Sequence, residues 1–310
     1  MRDALLMQVT VAAPPPAVFA ALTDSAALAT WFAEEADVAL PEGRYDFWGR
    51  FTPELPDREA GRHPLLAAEA GRRLSFGWRV AGSETVVEVA LVPHGAGTAV
   101  VLQHRGLAKG TEYGFYPLED FWFLSLENLR RHVEGRAAPI RCDYTLPDTG
   151  DIRLAVEIAG GREAVFAALI RPEELERWIA SEATVEPVVG GRYDLGWGGG
   201  TAMKILDLVP DERLAYASEP PPGQPELVVT WTLEGAGGWT RLTIVHSGFA
   251  PDQRSDDLRN GWLNFLSFIK SLVEDGAGWT PPILALSPAI APYYAGAIWR
   301  GQGALVLAGR

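Results

Sequence analysis

Five blocks of this 310-residue sequence occur twice, in the same order. Val18-Phe-Ala-Ala-Leu22 returns unchanged as Val165-Phe-Ala-Ala-Leu169, and Trp31 returns at the same spacing as Trp178. Gly43-Arg-Tyr-Asp46 returns as Gly191-Arg-Tyr-Asp194. Thr98 to Gly106 lies over Thr240 to Gly248, and Trp122 to Glu134 lies over Trp262 to Glu274. The offset between partners stays between 140 and 148 residues, which independent coincidences would not do. The chain therefore reads as a tandem duplication, in which any architecture proposed for one half must serve the other. Length agrees, because one hydrophobic core seldom serves 310 residues and two domains of about 150 are the natural division.

Hydrophobic periodicity gives each copy the same order of elements. Met7, Val9 and Val11 alternate with polar residues, as do Leu154, Val156 and Ile158, so both copies open with a strand. Pro16 suits a first helical turn, and the Ala-rich runs Ala17 to Leu22 and Glu163 to Leu169 are helical. A second short helix ends near Trp31 or Trp178, and strand patterns broken by Gly and Pro turns follow, about six of them per copy. One strand face carries Val87, Val89 and Leu91, and its counterpart carries Val229, Trp231 and Leu233. Each copy closes with a longer helix whose apolar residues recur at helical spacing: Trp122, Leu126, Leu129 and Val133, then Trp262, Leu266, Ile269 and Val273. The predicted class is α+β. A curved antiparallel sheet can bury its apolar face by wrapping around that last helix, and such a pairing tends to leave a cavity.

Composition removes several functions. The 27 Lys and Arg against 40 Asp and Glu give a net charge of −13, spread evenly between the halves, so neither copy offers the positive surface that nucleic acid requires. Cys142, the single cysteine, cannot form an intrachain disulfide, and the N-terminus has no apolar segment of the secretory kind; both point to a cytoplasmic protein. Four prolines interrupt the long uncharged run from Gly276 to Trp299, which argues against a membrane span. Phosphate-binding, dinucleotide-binding and zinc-binding motifs are absent, and five histidines without ligand spacing predict neither metal nor cofactor.

The ordered set of VFAAL after the first strand, Trp in the second helix, GGRYD opening a strand, Leu242 to Gly248, and Gly261-Trp262 at the last helix resembles the START-like (SRPBCC) superfamily of helix-grip folds. Within it, the sequence is most similar to the C-terminal domain of the activator of the heat-shock-protein-90 ATPase. The resemblance covers about 270 of the 310 residues as two copies, and the second is the closer. The first departs at Phe121-Trp122 and in an insertion from Phe51 to Leu65. The resemblance implies a cavity for a lipid-like or aromatic ligand in many relatives, cyclase or hydrolase chemistry in a few, and chaperone stimulation in the eukaryotic activator. That activator pairs its helix-grip domain with a different N-terminal domain, which lessens the expectation of a co-chaperone role here.

His104 and His246 are the leading candidate residues, because strand parity puts them on the inward face with Val100 and Leu102 or with Leu242 and Ile244. Such a histidine can orient a ligand, act as an acid-base group, or simply satisfy a neighbour and close the core. Trp31, Trp178, Trp122 and Trp262 repeat and read as posts between helix and sheet. Trp122 and Trp262 also join Tyr45, Phe76, Trp78, Tyr193, Trp197, Tyr216 and Trp231 as inward residues that could line a ligand cavity. Arg44 with Asp46, and Arg192 with Asp194, read as outward-facing solvated ion pairs.

The expected organisation is a first helix-grip domain over 1–137, a linker over 138–149, a second domain over 150–276, and an apolar Pro-rich tail over 277–310. That tail should pack on a domain or on a second chain, the latter giving a homodimer. The expected function is non-catalytic binding of a small apolar or aromatic molecule. The alternatives are a cyclase-like or hydrolase-like enzyme using an inward histidine and a chaperone-regulating interaction module.

Overall fold

A computed structural model describes residues 4–107, 116–136, 139–197, 203–220 and 225–284. It divides into two compact units, one running to Leu146 and rejoined at Pro282, the other spanning Pro147–Pro281. The first contains β1 (Ala4–Val11), α1 (Pro15–Thr23), α2 (Ser25–Trp31), β2 (Glu35–Ala39), β3 (Arg44–Trp48), β4 (Leu65–Glu69), β5 (Arg73–Val80), β6 (Ser83–His94), β7 (Gly97–Arg105) and α3 (Tyr116–Val133). The second repeats that order with β8 (Ile152–Ile158), α4 (Arg162–Ile170), α5 (Pro172–Trp178), β9 (Thr184–Val185), β10 (Arg192–Asp194), β11 (Met203–Val209), β12 (Arg213–Ala217), β13 (Val228–Glu234), β14 (Thr240–Ser247) and α6 (Asp256–Asp275). A final short strand, β15 (Ile283–Leu284), pairs antiparallel with β1, Met7 facing Leu284. The chain is an α+β protein of two tandem helix-grip domains.

Local chemistry explains why the repeated residues build the same elements. Prolines begin α1, where a missing N–H costs nothing, and Asp24 accepts from the Ala27 N–H at 2.8 Å to cap α2. The indole of Trp31 donates to the Ala21 carbonyl at 3.0 Å, and that of Trp178 to Ala168 at 2.9 Å, each tying the second short helix to the first. The Tyr45 and Tyr193 hydroxyls donate to Leu22 and Leu169 at 2.9 and 2.8 Å, fixing the same helix pair to the sheet. Thr98 donates to Ala13 and Thr240 to Gly160, while Glu134 and Glu274 accept from the backbones of Ala12 and Ala159. The indole, phenol and threonine bonds satisfy buried groups whose desolvation would otherwise cost about 1–3 kcal/mol each.

The sheets differ in one respect. In the second unit all seven strands join in the order β8-β14-β13-β12-β11-β10-β9. In the first, β2 and β3 form a separate ribbon beside the sheet β15-β1-β7-β6-β5-β4. The extra segment between β3 and β4 lies against β3 in place of a sheet strand, through a bridge between Arg44 and Pro64 and a bond from the Phe47 N–H to the Gly61 carbonyl at 3.1 Å.

The same segment overturns part of the reading of the GRYD strands. Arg192 does pair with Asp194 at the surface, as expected. In the first copy Asp46 is buried, and Arg44 pairs instead with Asp37 at 3.2 Å and Glu42 at 3.0 Å. The folded-back insertion covers Asp46, whose Oδ1 accepts from the His63 backbone N–H at 3.4 Å.

The long helices present their predicted apolar stripes to the sheets, but burial extends past those stripes. Glu127 on α3 is buried with Arg130 at 2.6 Å, and Asn264, Ser267 and Ser271 on α6 are buried too. After α6 the chain stays with the second unit as far as Trp279, which packs on Phe268. The tail beyond Leu284 lies outside the described residues.

Candidate ligand-binding site

Both inward histidines sit near the end of the last strand, and each accepts a hydrogen bond at Nδ1 from the indole near the start of the long helix. Trp122 Nε1 to His104 is 3.1 Å, and Trp262 Nε1 to His246 is 3.0 Å. An indole nitrogen can only donate, so Nδ1 carries no proton in either ring and the neutral imidazole holds its proton on Nε2. Burial pulls the pKa of His104 down to about 3 and that of His246 to about 4, the nearby Asp151 charge opposing the shift in the second case.

What Nε2 meets separates the copies. In the first, Nε2–H lies 2.7 Å from Thr85 Oγ1, and the Thr85 hydroxyl in turn donates to the Trp78 carbonyl. Trp78 also stacks on the imidazole at 5.5 Å and 11°, and Phe121 stands edge-on to Trp78 at 5.4 Å. His104 is 0% exposed and both its nitrogens are used. Enclosed and bonded at both nitrogens, the ring offers no free polar atom to a ligand among the described residues.

Strand register identifies the equivalents in the second copy. Val87 faces His104 and Val229 faces His246, so Leu227 stands where Thr85 does. Phe76 pairs with Val87 and Tyr216 with Val229, so Ser218 stands where Trp78 does. Gly261 replaces Phe121, and apart from its chain neighbours and its own helix backbone no described atom lies within 4 Å of the position its Cβ would take. Around His246 the counterparts of the Thr85 hydroxyl, the stacked Trp78 indole and the Phe121 ring are therefore missing. Its Nε2–H has no partner among the described residues, and the residue is 8% exposed.

Aromatic mass has moved rather than vanished. Trp231 occupies the place of Val89, and Phe265 that of Ser125. From His246 a chain of rings runs outward through Trp262 and Phe265 to Trp197, which stacks on Phe265 at 5.9 Å and 16° and is 45% exposed. Phe249 stands edge-on to His246 at 4.8 Å on the other side. Neither Phe249 nor Phe265 was anticipated from sequence, although superposing the two copies brings Phe265 over a serine.

The other predicted lining residues are placed as follows. Tyr45 and Tyr193 are buried and spend their hydroxyls on helix carbonyls, so both act as posts. Phe76 packs on Tyr45 at 4.9 Å within a filled aromatic cluster. Tyr216 stacks on Tyr193 at 4.3 Å and accepts from Trp231 Nε1 at 3.3 Å, and burial raises the pKa of both phenols. Trp178, Trp231 and Trp262 meet edge to face at 5.6–6.2 Å. Among the described residues, no cluster of His, Cys, Asp or Glu could hold a metal ion, and no helix is long and apolar enough to cross a membrane.

The chain is similar to known proteins. The family described as Activator of Hsp90 ATPase homolog 1-like protein matches residues 12–134 and again 161–274. Among solved structures, protein MLL2253 from Mesorhizobium loti is 28% identical over 41% of this chain and 98% of its own, with a TM-score of 0.36. DynU16, a protein of the dynemicin biosynthetic locus, is 19% identical over 89% of this chain and 99% of its own, with a TM-score of 0.34. The Aha1 dimer from Colwellia psychrerythraea is 21% identical over 42% of this chain and 100% of its own, with a TM-score of 0.37. No curated protein matches the chain.

Proposed function

This chain belongs to the Activator of Hsp90 ATPase homolog 1-like family, and from that premise we propose that its second domain binds one small aromatic or apolar molecule carrying a hydrogen-bond acceptor. The observation that carries the reading is the unpartnered Nε2–H of His246, set against the fully bonded His104 of the first domain. That N–H is not sealed from solvent, and a ligand oxygen or nitrogen would accept from it while the apolar body lies against Trp262, Phe265 and Trp197. Each square ångström of apolar surface so buried contributes about 25 cal/mol.

The geometry favours binding over acid-base chemistry. No carboxylate or phenol bonds either imidazole among the described residues, and a histidine with a pKa near 4 is a weak base but a sound neutral donor.

Nile red, an uncharged fluorescent aromatic probe with a carbonyl acceptor, tests the reading. One probe per chain is expected, displaced by whatever native mass spectrometry finds bound to the protein as purified. Replacing Gly261→Phe restores the ring that the first domain carries and should abolish binding without unfolding the protein. Two probes per chain, or binding unaffected by that substitution, would overturn the proposal.

A further inference from the structure

The opening strands of the two domains lie at equivalent sides of their sheets, and only one of them is covered. In the first domain β15 pairs with the outer side of β1 at Met7 and Gln8. Leu5 faces His104 and Ile152 faces His246, so Leu154 and Ala155 stand on β8 where Met7 and Gln8 stand on β1. No strand lies outside β8 among the described residues; Ala155 is exposed there and Leu154 half-buried.

Two bonds fix which backbone groups this edge presents. The Ala159 N–H donates to Glu274 at 2.9 Å, and the Glu157 carbonyl accepts from the Lys270 ammonium, so both groups point away from β14. Backbone groups alternate sides along a strand, and Arg153 and Ala155 therefore turn their N–H and C=O to the open side as well. Such a row is a template for another strand, which charged side chains repel unless the arriving strand matches them.

The charges on β8 match a second copy of β8. Arg153, Ala155 and Glu157 alternate with the inward residues and share the outer face. An antiparallel pairing about a two-fold axis at Ala155 sets each Arg153 opposite Glu157 of the other copy, and Leu154 opposite Val156 on the inner face. Arg153 is exposed and has neither an ion pair nor a side-chain hydrogen bond among the described residues. Glu157 holds Arg241 at 2.7 Å through Oε1, which leaves Oε2 able to accept. On β1, whose edge the chain covers with its own β15, the same two positions are the uncharged Leu6 and Thr10.

We propose that β8 is a self-association edge, through which two copies of this chain join their second domains by antiparallel β8 strands centred on Ala155. The Ala155 N–H and C=O of each copy bond those of the other, flanked by two Arg153–Glu157 pairs. A two-fold contact of this kind closes on itself, so it yields a dimer and no longer polymer.

Sedimentation velocity of the whole chain tests this. Over a range of about 1 to 500 µM the protein should pass from monomer to dimer, with a Kd of about 1–100 µM for so narrow a contact. Arg153→Glu and Glu157→Arg each set like charges opposite one another twice, and each should weaken the dimer about tenfold or more. Mixed in equal amounts, those two variants complement each other and should dimerise as the wild type does. Ala155→Pro removes an edge N–H that no bond within the fold uses, and should weaken the dimer about tenfold too. All three positions are exposed, so the variants should fold, and circular dichroism melts check that they do. A monomer throughout the range, a dimer unchanged by either charge reversal or by Ala155→Pro, or a mixture that stays monomeric would overturn the proposal.

Discussion

His104 and His246 descend from one repeated residue and hold the same bond to the same helix tryptophan, yet they differ in everything on their far side. His104 is the second link of a relay that runs from the Trp122 indole through its own ring to Thr85 and the Trp78 backbone, with an indole stacked on its ring. His246 keeps the first bond and loses the rest, because Leu227, Ser218 and Gly261 stand where Thr85, Trp78 and Phe121 do. Duplication leaves one copy free to maintain a solid core while the other gives up packing around a polar group. The loss is local, since the other paired bonds of the two domains are preserved almost to the tenth of an ångström.

That contrast can be broken most directly by removing each ring. His104→Leu should cost about 2–4 kcal/mol, because the buried Trp122 N–H is left unpaired and the stacked indole loses its partner. His246→Leu should cost about 1–2 kcal/mol, because the Trp262 N–H is left unpaired there too but no hydroxyl bond or stacked indole is lost with it. Urea unfolding followed by tryptophan fluorescence measures both, and equal losses would show that the two histidines do the same work.

Acid provides the next largest effect. Both rings have folded-state pKa values below the ordinary 6.5, so the unfolded chain binds more protons as pH falls. Their contribution is complete above pH 6.5 and is lost toward pH 4 for His246 and pH 3 for His104, at about 1.4 kcal/mol per pH unit for each group within its window. The unfolding free energy measured at pH 7 and pH 5 should fall accordingly, and His104→Leu should flatten that dependence.

Smaller changes sharpen the comparison. Leu227→Thr gives His246 the hydroxyl that His104 uses, and should weaken Nile red binding by about threefold to tenfold by occupying the donor. Gly261→Ala, in helix α6 with open space around its Cβ, should raise stability by about 0.5–1 kcal/mol. Because a methyl group fills much less of the hollow than a phenyl ring, it should leave the probe bound. A thermal melt with and without the probe separates these two outcomes.

Much of this was legible in the sequence, for reasons that particular residues make plain. Trp31 and Trp178, Tyr45 and Tyr193, Thr98 and Thr240 recur because each makes the same hydrogen bond twice, and repetition marks a structural post more surely than any propensity. Alternation identified the inward strand faces, and both histidines do point inward. The difference between them was present at an offset of 142 residues, as Thr85 against Leu227, but the drift from 148 to 140 along the chain concealed which residues should be compared. Asp46 shows the opposite limit. Its pattern is identical to that of Asp194, and the insertion folded over it makes one buried while the other stays half-buried at the surface. His63 gave no signal, since nothing about a lone histidine in a Pro-rich insertion reveals that its ring will be buried and stacked on Phe47.

The sequence alone determined the duplication, the element order and the helix-grip class, because periodicity and repeated hydrogen-bonding side chains act through neighbours close along the chain or in the same strand pair. Only the tertiary structure decided which histidine is sealed and which is open, and where the insertion of the first domain folds over Asp46. Those outcomes depend on residues from separate strands, a helix and a loop meeting at one point, and the free energy of an unpaired N–H is set by what stands beside it in space.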